Sequence, residues 1–330
     1  MQLSPFLALT ILCASTFALA TSAAASEPGA LGEELAPNSR ADCAADPECE
    51  LAPRLLDITG TEAAPQWLYA RSVFGISARP IGLLLDNQLE HRWRLWRTDA
   101  IPFQNTFLGV GARVALSPAY LDVGPQVTFA PADLFDLQMR ATYSRYYAGA
   151  NGLVGYATIG DTTSDTREAF AQGTLGDDML SLSIAPTLKL KVGPIIAVGS
   201  ATITAIYTDE DEALPLAFDV YRNLTIARGS ELVTEYNGAL IAELLDGDRG
   251  PLLWLGALAE HARTRESRDQ RTAVGPLVVV RPSRSMRGPR FLIQGRYYTE
   301  DSDFQPGFGA KFAVIWDGNL IRPRDARLND

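Results

Sequence analysis

The sequence predicts an all-β protein, a transmembrane antiparallel up-and-down β-barrel of about twelve strands. Three observations carry this reading. Hydrophobic residues recur at every second position through most of residues 67–316, the period of a strand with two unlike faces. The segments so defined run roughly ten to fourteen residues, long enough for a tilted strand to cross a bilayer and longer than the roughly five or six residues usual in soluble sheets. The apolar face is the uninterrupted one, while the other mixes Lys, Arg, Asp, Gln, Ser and Thr with Gly, the arrangement of a barrel with lipid outside and a polar lumen.

The N-terminal part has other chemistry. Residues 1–25 read as a secretory signal peptide: the apolar run at 6–19 is too short to span a bilayer, and Ala18-Leu19-Ala20 and Ala23-Ala24-Ala25 both fit a processing site. Cys13 lies inside that run, behind an Ile11-Leu12 pair too bulky for a lipobox. Residues 26–66 are rich in Ala, Pro and Glu without either hydrophobic period, which predicts a loosely ordered periplasmic extension. Cys43 and Cys49 stand within it, and in an exported chain the expected outcome is one local disulfide. Two thiols with no neighbouring His make a poor zinc site, despite Asp42, Asp46, Glu48 and Glu50 around them.

From Trp67 the strands follow in order. Phe74, Ile76, Leu83 and Leu85 mark an extended pattern, although residues 83–96 hold no Gly or Pro and also fit an amphipathic helix. The strand reading is preferred because three tightly joined strands come next. Leu108, Val110, Ala112, Val114 and Leu116 alternate with Gly and Arg; Leu121, Val123, Val127 and Phe129 with Asp122, Gly124 and Gln126; Leu137, Met139 and Ala141 with Gln138 and Arg140. Ser117-Pro118 and Pro131-Ala132-Asp133 supply the turns. A short strand at 153–159 precedes a polar loop at 160–178. The alternation is cleanest at 180–192, where Leu and Ile trade places with Ser, Thr, Lys189 and Lys191, and Gly193-Pro194 turns it back. Residues 216–227 and 232–245 are weaker strands, the second with a helical alternative. The Asp246–Gly250 region reads as a hairpin turn, and strands at 252–263, 274–280, 290–299 and 307–316 complete the series, with a polar tail at 317–330.

The count comes to about thirteen, yet single-chain barrels of this kind have even numbers, so one of 153–159 or 216–245 must not cross and twelve is expected. Tyr and Trp near strand ends (Trp93, Trp96, Tyr143, Tyr146, Tyr147, Tyr297, Tyr298, Trp316) fit an aromatic girdle. With the N-terminus periplasmic, loops 160–178, 209–214 and 246–250 fall outside and loop 263–271 falls in the periplasm.

The formal net charge of −10 argues against a nucleic-acid partner. No cofactor or metal motif is found: Gly109-x-Gly111 lies in mid-strand with no helix after it. Only two histidines occur, and His261 beside Glu260, with Ser267 or Thr264, is the nearest approach to a hydrolytic set. The expected lumen lining is Arg113, Asp122, Gln138, Arg140, Lys189, Lys191, Arg296 and Lys311, with Asp136 and Asp219 as further carboxylates. This wall is net basic. It favours anion passage, and salt bridges that plug a narrow barrel account for the same residues equally well.

Arg79-Pro80-Ile81-Gly82-Leu83, the run Gly111-Ala112-Arg113-Val114-Ala115-Leu116-Ser117-Pro118-Ala119, Tyr146-Tyr147-Ala148-Gly149 and the aromatic last strand resemble a group of uncharacterised bacterial outer-membrane β-barrel proteins. The likeness covers about residues 70 to 316. It implies a Gram-negative envelope location, contact with outer-membrane lipid and lipopolysaccharide, and insertion by the barrel-assembly machinery, which reads the last strand. The chain departs from that pattern by ending in Asp330 after a polar tail. The expected function is a passive pore for small solutes, anionic ones among them, or a structural envelope protein. The alternatives are a barrel enzyme acting on outer-leaflet lipid and a soluble periplasmic β protein that binds a ligand.

Overall fold

The computed structural model describes residues 66–78, 81–96, 103, 105–148, 153–156, 176–219, 221–245, 251–282, 288–301 and 307–321. The signal peptide, the Cys43–Cys49 loop and all of the extension but Gln66 lie outside the described residues.

Fifteen strands follow one another: β1 Gln66–Ala78, β2 Ile81–Arg94, β3 Phe107–Leu116, β4 Tyr120–Ala132, β5 Phe135–Tyr146, β6 Leu153–Tyr156, β7 Asp178–Val192, β8 Ile195–Thr208, β9 Leu216–Asp219, β10 Leu224–Ala227, β11 Ser230–Leu245, β12 Leu252–Thr264, β13 Gln270–Arg281, β14 Arg290–Asp301 and β15 Gly307–Ile321. Twelve close into an antiparallel barrel in the order β1-β15-β14-β13-β12-β11-β8-β7-β5-β4-β3-β2. The seam joins the first and last strands, with Ser72 opposite Trp316 and Gly75 opposite Ala313. Closure gives each of these strands a partner on both sides and so removes the edges that an open sheet would expose. Among the described residues there is no helix, and both segments with a helical alternative, 83–96 and 232–245, contribute wall strands.

The three strands outside the wall are four residues each, too short to cross it, and pair in the order β10-β9-β6 as a separate small sheet. Both doubtful segments, 153–159 and 216–227, therefore leave the wall, and the extended pattern at 67–96 supplies two crossings, β1 and β2, which brings thirteen to twelve. Their departure also corrects the loop orientation. Residues 216–227 are a hairpin, turned through Asn223 at a φ of 52°, which returns to the end it left. Each later crossing therefore finishes opposite to the expected side. β11 ends and β12 starts at the end of the barrel where β1 begins, hereafter the terminal end. Connection 265–269 lies at the other, the loop end, where β5 and β8 end and β7 and β11 start. The last strand also runs further than expected, to Ile321 rather than residue 316.

Alternation divides the wall as expected: Phe74, Leu85, Leu116, Met139, Leu182, Leu190, Ile203, Leu255, Ile293 and Phe308 are exposed on the outward face. The girdle needs one correction. Tyr146 and Tyr298 are buried inside, whereas Tyr147, Tyr297 and Trp316 are exposed. Neighbours on a strand point to opposite faces, so consecutive tyrosines cannot share the girdle.

At the loop end the small sheet sits against inward residues of the wall. Leu153, Ala217, Leu224 and Ile226 form one buried cluster with Tyr120, Tyr146, Met179, Ile206, Val233 and Ala262. Burying each of the larger aliphatic side chains contributes roughly 1.5–3 kcal/mol, which offsets the ordering of three short strands. The 265–269 connection ties in by polar contacts. Glu231 accepts from the backbone N–H groups of Arg265, Glu266 and Ser267, and the Ser267 hydroxyl donates to the Thr225 carbonyl.

Candidate functional site

The barrel interior carries the charged chemistry, and each position there follows from strand parity. On β2, β3 and β4 the inward residues include Asp86, Glu90, Arg92, Arg113, Asp122 and Gln126. Arg113 makes a two-pronged contact with Asp86, at 2.9 and 3.0 Å, and has Asp122 at 3.8 Å. Glu90, fully buried, accepts from Arg92 (2.7 Å), Gln88 (2.9 Å), Gln126 (2.7 Å) and Thr128 (2.7 Å). Gln126 and Thr128 stand two strands away from Glu90, and Gly109 and Gly111 on the intervening β3 leave the path clear. The Arg92 guanidinium lies 3.5 Å from the Tyr69 ring and 4.2 Å from that of Phe107, a cation held between two aromatic faces.

The opposite side repeats the device. Arg296 on β14 reaches Glu260 on β12 at 2.7 Å over Gly275 of β13. Lys191 on β7 reaches Glu243 on β11 at 2.7 Å, and the same carboxylate accepts from Trp254 Nε1 at 3.1 Å. Lys189 pairs with Asp136, Arg271 with Glu235 at 3.4 Å, and Arg290 with Asp317.

All eight expected lining residues thus stand at inward register positions, but not as one group. Lys189 and Lys191 sit near the terminal end of β7, each with a carboxylate. Gln138 lies opposite Thr128 and Ala185. Asp219 is not on the wall at all: it belongs to β9, where it pairs with Arg222 and accepts from the backbone of Tyr221 and Arg222. Burial opposes the charge of Arg222, yet the adjacent Asp219 and Tyr146 hold its guanidinium well above the ordinary arginine range. Arg228, in the turn before β11, joins Asp177 and Asp211, both at 2.9 Å.

The sequence reading missed Asp86, Glu90, Glu235, Glu243, Glu260 and Asp317. With them the interior is close to charge-balanced rather than strongly basic. For Asp86 and Glu90 the signal was present in even-numbered Asp86, Gln88, Glu90 and Arg92 against odd Leu85, Leu89 and Trp93, but like that of Glu235 and Glu243 it lay in a segment with a competing helical period. Glu260 was read into the hydrolytic set, and Asp317 fell beyond the expected end of the last strand.

Three inward cations remain outside the ion pairs among the described residues: Arg71, Arg140 and Lys311. Arg71 is within electrostatic reach of the other two, with Arg113 beside Arg140 and Arg296 beside Lys311. The Arg140 Nε is buried and has no hydrogen-bond partner. A cavity of about 250 Å³ opens by Lys311, lined along β8 and β11–β15 by Asn237, Gln294 and Arg296 together with Val198, Leu258 and Leu277.

The hydrolytic set is not assembled. His261 faces outward and contacts Thr272 at 2.9 Å, Glu260 points inward to Arg296, and Ser267 is buried against Thr264. Among the described residues no group of His, Cys, Asp and Glu is arranged to hold a metal ion.

Fold and interior together define a closed twelve-stranded barrel with an apolar outside and a charged, partly capped inside. No protein-family model and no curated protein sequence matches the chain. Among solved structures it is similar to the β domain of the Bordetella autotransporter BrkA, at 11% identity over 76% of this chain and 99% of that one, with a TM-score of 0.42. It is also similar to the NanC porin (7%, 75% and 98%, TM-score 0.41) and to an outer membrane channel from Pseudomonas putida F1 (9%, 79% and 98%, TM-score 0.38). At such values the barrel rests on its own strand pairing.

Proposed function

We propose that the protein spans the outer membrane of a Gram-negative envelope and passes small anionic solutes passively through its interior. The outward apolar belt supports the membrane placement, because wall strands of 10 to 16 residues give it the height of a hydrocarbon core. Outer-membrane lipid and lipopolysaccharide would cover that belt, and the barrel-assembly machinery would insert it. The observation that carries anion passage is the set of inward cations, Arg71, Arg140 and Lys311, that stand outside the ion pairs among the described residues. Uncompensated positive charge in a narrow, low-dielectric channel concentrates anions and repels cations.

The test is reversal potential across planar bilayers under a potassium chloride gradient, using detergent-extracted protein. Anion preference is expected, and Arg140→Glu should move the potential toward that of a cation-selective path. Cation preference in the unaltered protein would sink the reading. A second reading, a structural envelope protein with no open path, is favoured by the apolar cluster filling the loop end. Absence of any conductance steps would leave that one standing.

A further inference from the structure

We propose that the interior cavity beside β11–β15 binds a small amphiphilic monoanion, its charged group on Lys311 and its apolar body against Leu258 and Leu277. The proposal rests on the interior being a solute path and names the class of solute.

Charge sets the head group. Of the two cations in the cavity, Arg296 is neutralised by Glu260 at 2.7 Å, whereas Lys311 has no carboxylate at ion-pair distance. One net positive charge matches one negative charge, and a carboxylate in such a site makes a charge-assisted hydrogen bond with the ammonium. The Gln294 amide, opposite Lys311 on the adjoining strand, and the Asn237 amide also line the cavity and supply further polar atoms for an oxygen.

The apolar part of the lining, on the strands next to Gln294, sets the body. Val198, Ala239, Leu258 and Leu277 point into the lumen and continue into a buried apolar cluster with Ile196, Ile241 and Val279. A path for hydrated inorganic ions gains nothing from such a wall. A hydrocarbon body gains about 25 cal/mol for each Å² it removes from water. Volume limits the ligand further. About 250 Å³ lies just below the range of roughly 300–1,000 Å³ typical of pockets for drug-sized molecules. A short aliphatic or single-ring carboxylate fits, and a long-chain lipid does not.

Calorimetric titration of the detergent-folded full-length chain tests this with three probes: hexanoate, inorganic phosphate and hexan-1-ol. Hexanoate is expected to bind at least about tenfold more tightly than either of the others, since it alone uses both the cation and the apolar lining. Lys311→Met should weaken hexanoate by about tenfold or more, and Lys311→Arg should retain most of the affinity. Leu277→Asn, which leaves the cation in place, should weaken hexanoate and leave phosphate unchanged. Each variant is first checked for the folded band that shifts on boiling, and the two substitutions at different strands keep the test alive if one fails to fold. Equal binding of phosphate, equal binding of hexanol, or no binding of hexanoate overturns the proposal. Hexanoate binding without conductance leaves this site standing and removes passive passage. Anion-selective conductance without hexanoate binding removes this site alone.

Discussion

The Glu90 side chain runs across the face of Gly111, and a Cβ built on that glycine would meet Glu90 Cγ at 2.9 Å and the Leu89 carbonyl oxygen at 2.0 Å. The glycine is therefore the floor over which a buried carboxylate reaches Gln126 and Thr128 on the strand beyond. The Gly-x-Gly that has no nucleotide to bind has this role instead.

Gly111→Val should consequently destabilise the barrel by more than the roughly 1–3 kcal/mol of ordinary overpacking, because the obstruction is backbone as well as side chain. The measure is the temperature at which the compact gel band converts to the unfolded one. A conversion temperature unchanged from the parent would show that the strands can part at no cost there.

Glu90→Leu removes the acceptor for Arg92, Gln126 and Thr128 at once. The cost should be about 3–5 kcal/mol, the penalty for leaving a buried cation without its partner, read as a lower guanidinium midpoint. Removing the unpaired cation as well, in Glu90→Leu combined with Arg92→Met, should be less damaging than Glu90→Leu alone, with the recovery limited by the lost cation–π contacts with Tyr69 and Phe107.

The small sheet is held at the loop end in part by Arg222, which pairs with Asp219 beside inward Asp122. Arg222→Met leaves Asp219 without its cation and should loosen the sheet, raising the frequency and size of conductance steps in bilayers. Combining it with Asp219→Asn should restore the closed behaviour. Unaltered conductance in the single variant would place the barrier elsewhere in the lumen.

Asp211 offers a pH dependence at the same end. The backbone N–H groups of Ala213 and Leu214 and the Arg228 guanidinium hold its carboxyl below the ordinary value of 3.8, against the opposing effect of burial. A lowered folded value means that its contribution is present above pH 3.8 and is lost as pH falls through the folded value. Asp177, on the same Arg228, runs the other way, because burial raises it and it takes up its proton first on acidification. Amide exchange at Ala213 and Leu214, corrected for the intrinsic rate, should therefore accelerate as pH falls below 3.8 through that lowered value. Asp211→Asn should abolish that step.

Much of the wall could be read from residue order, because side-chain direction in a strand depends on nothing beyond its neighbours. Leu108 to Leu116, Leu121 to Phe129 and the 180–192 segment announce both their conformation and their faces, and Arg113, Asp122, Arg140 and Lys189 fall inward with no tertiary information. Where two periods competed, as in 83–96 and 232–245, the inward carboxylates Asp86, Glu90, Glu235 and Glu243 went uncounted. The lumen consequently read as more basic than it is.

Sequence alone thus determined the all-β class, the twelve crossings and the two unlike faces, since a period of two is a local property of the chain. Tertiary structure decided which charges meet. Pairs such as Glu90 with Gln126 or Arg296 with Glu260 bridge strands that are not adjacent, so they depend on barrel register and on the small residue between. It also decided that residues 153–156, 216–219 and 224–227 leave the wall, since a four-residue segment has the same period wherever it packs. The cations left unpaired at Arg71, Arg140 and Lys311 emerge only after every other partner has been placed by closure of the barrel.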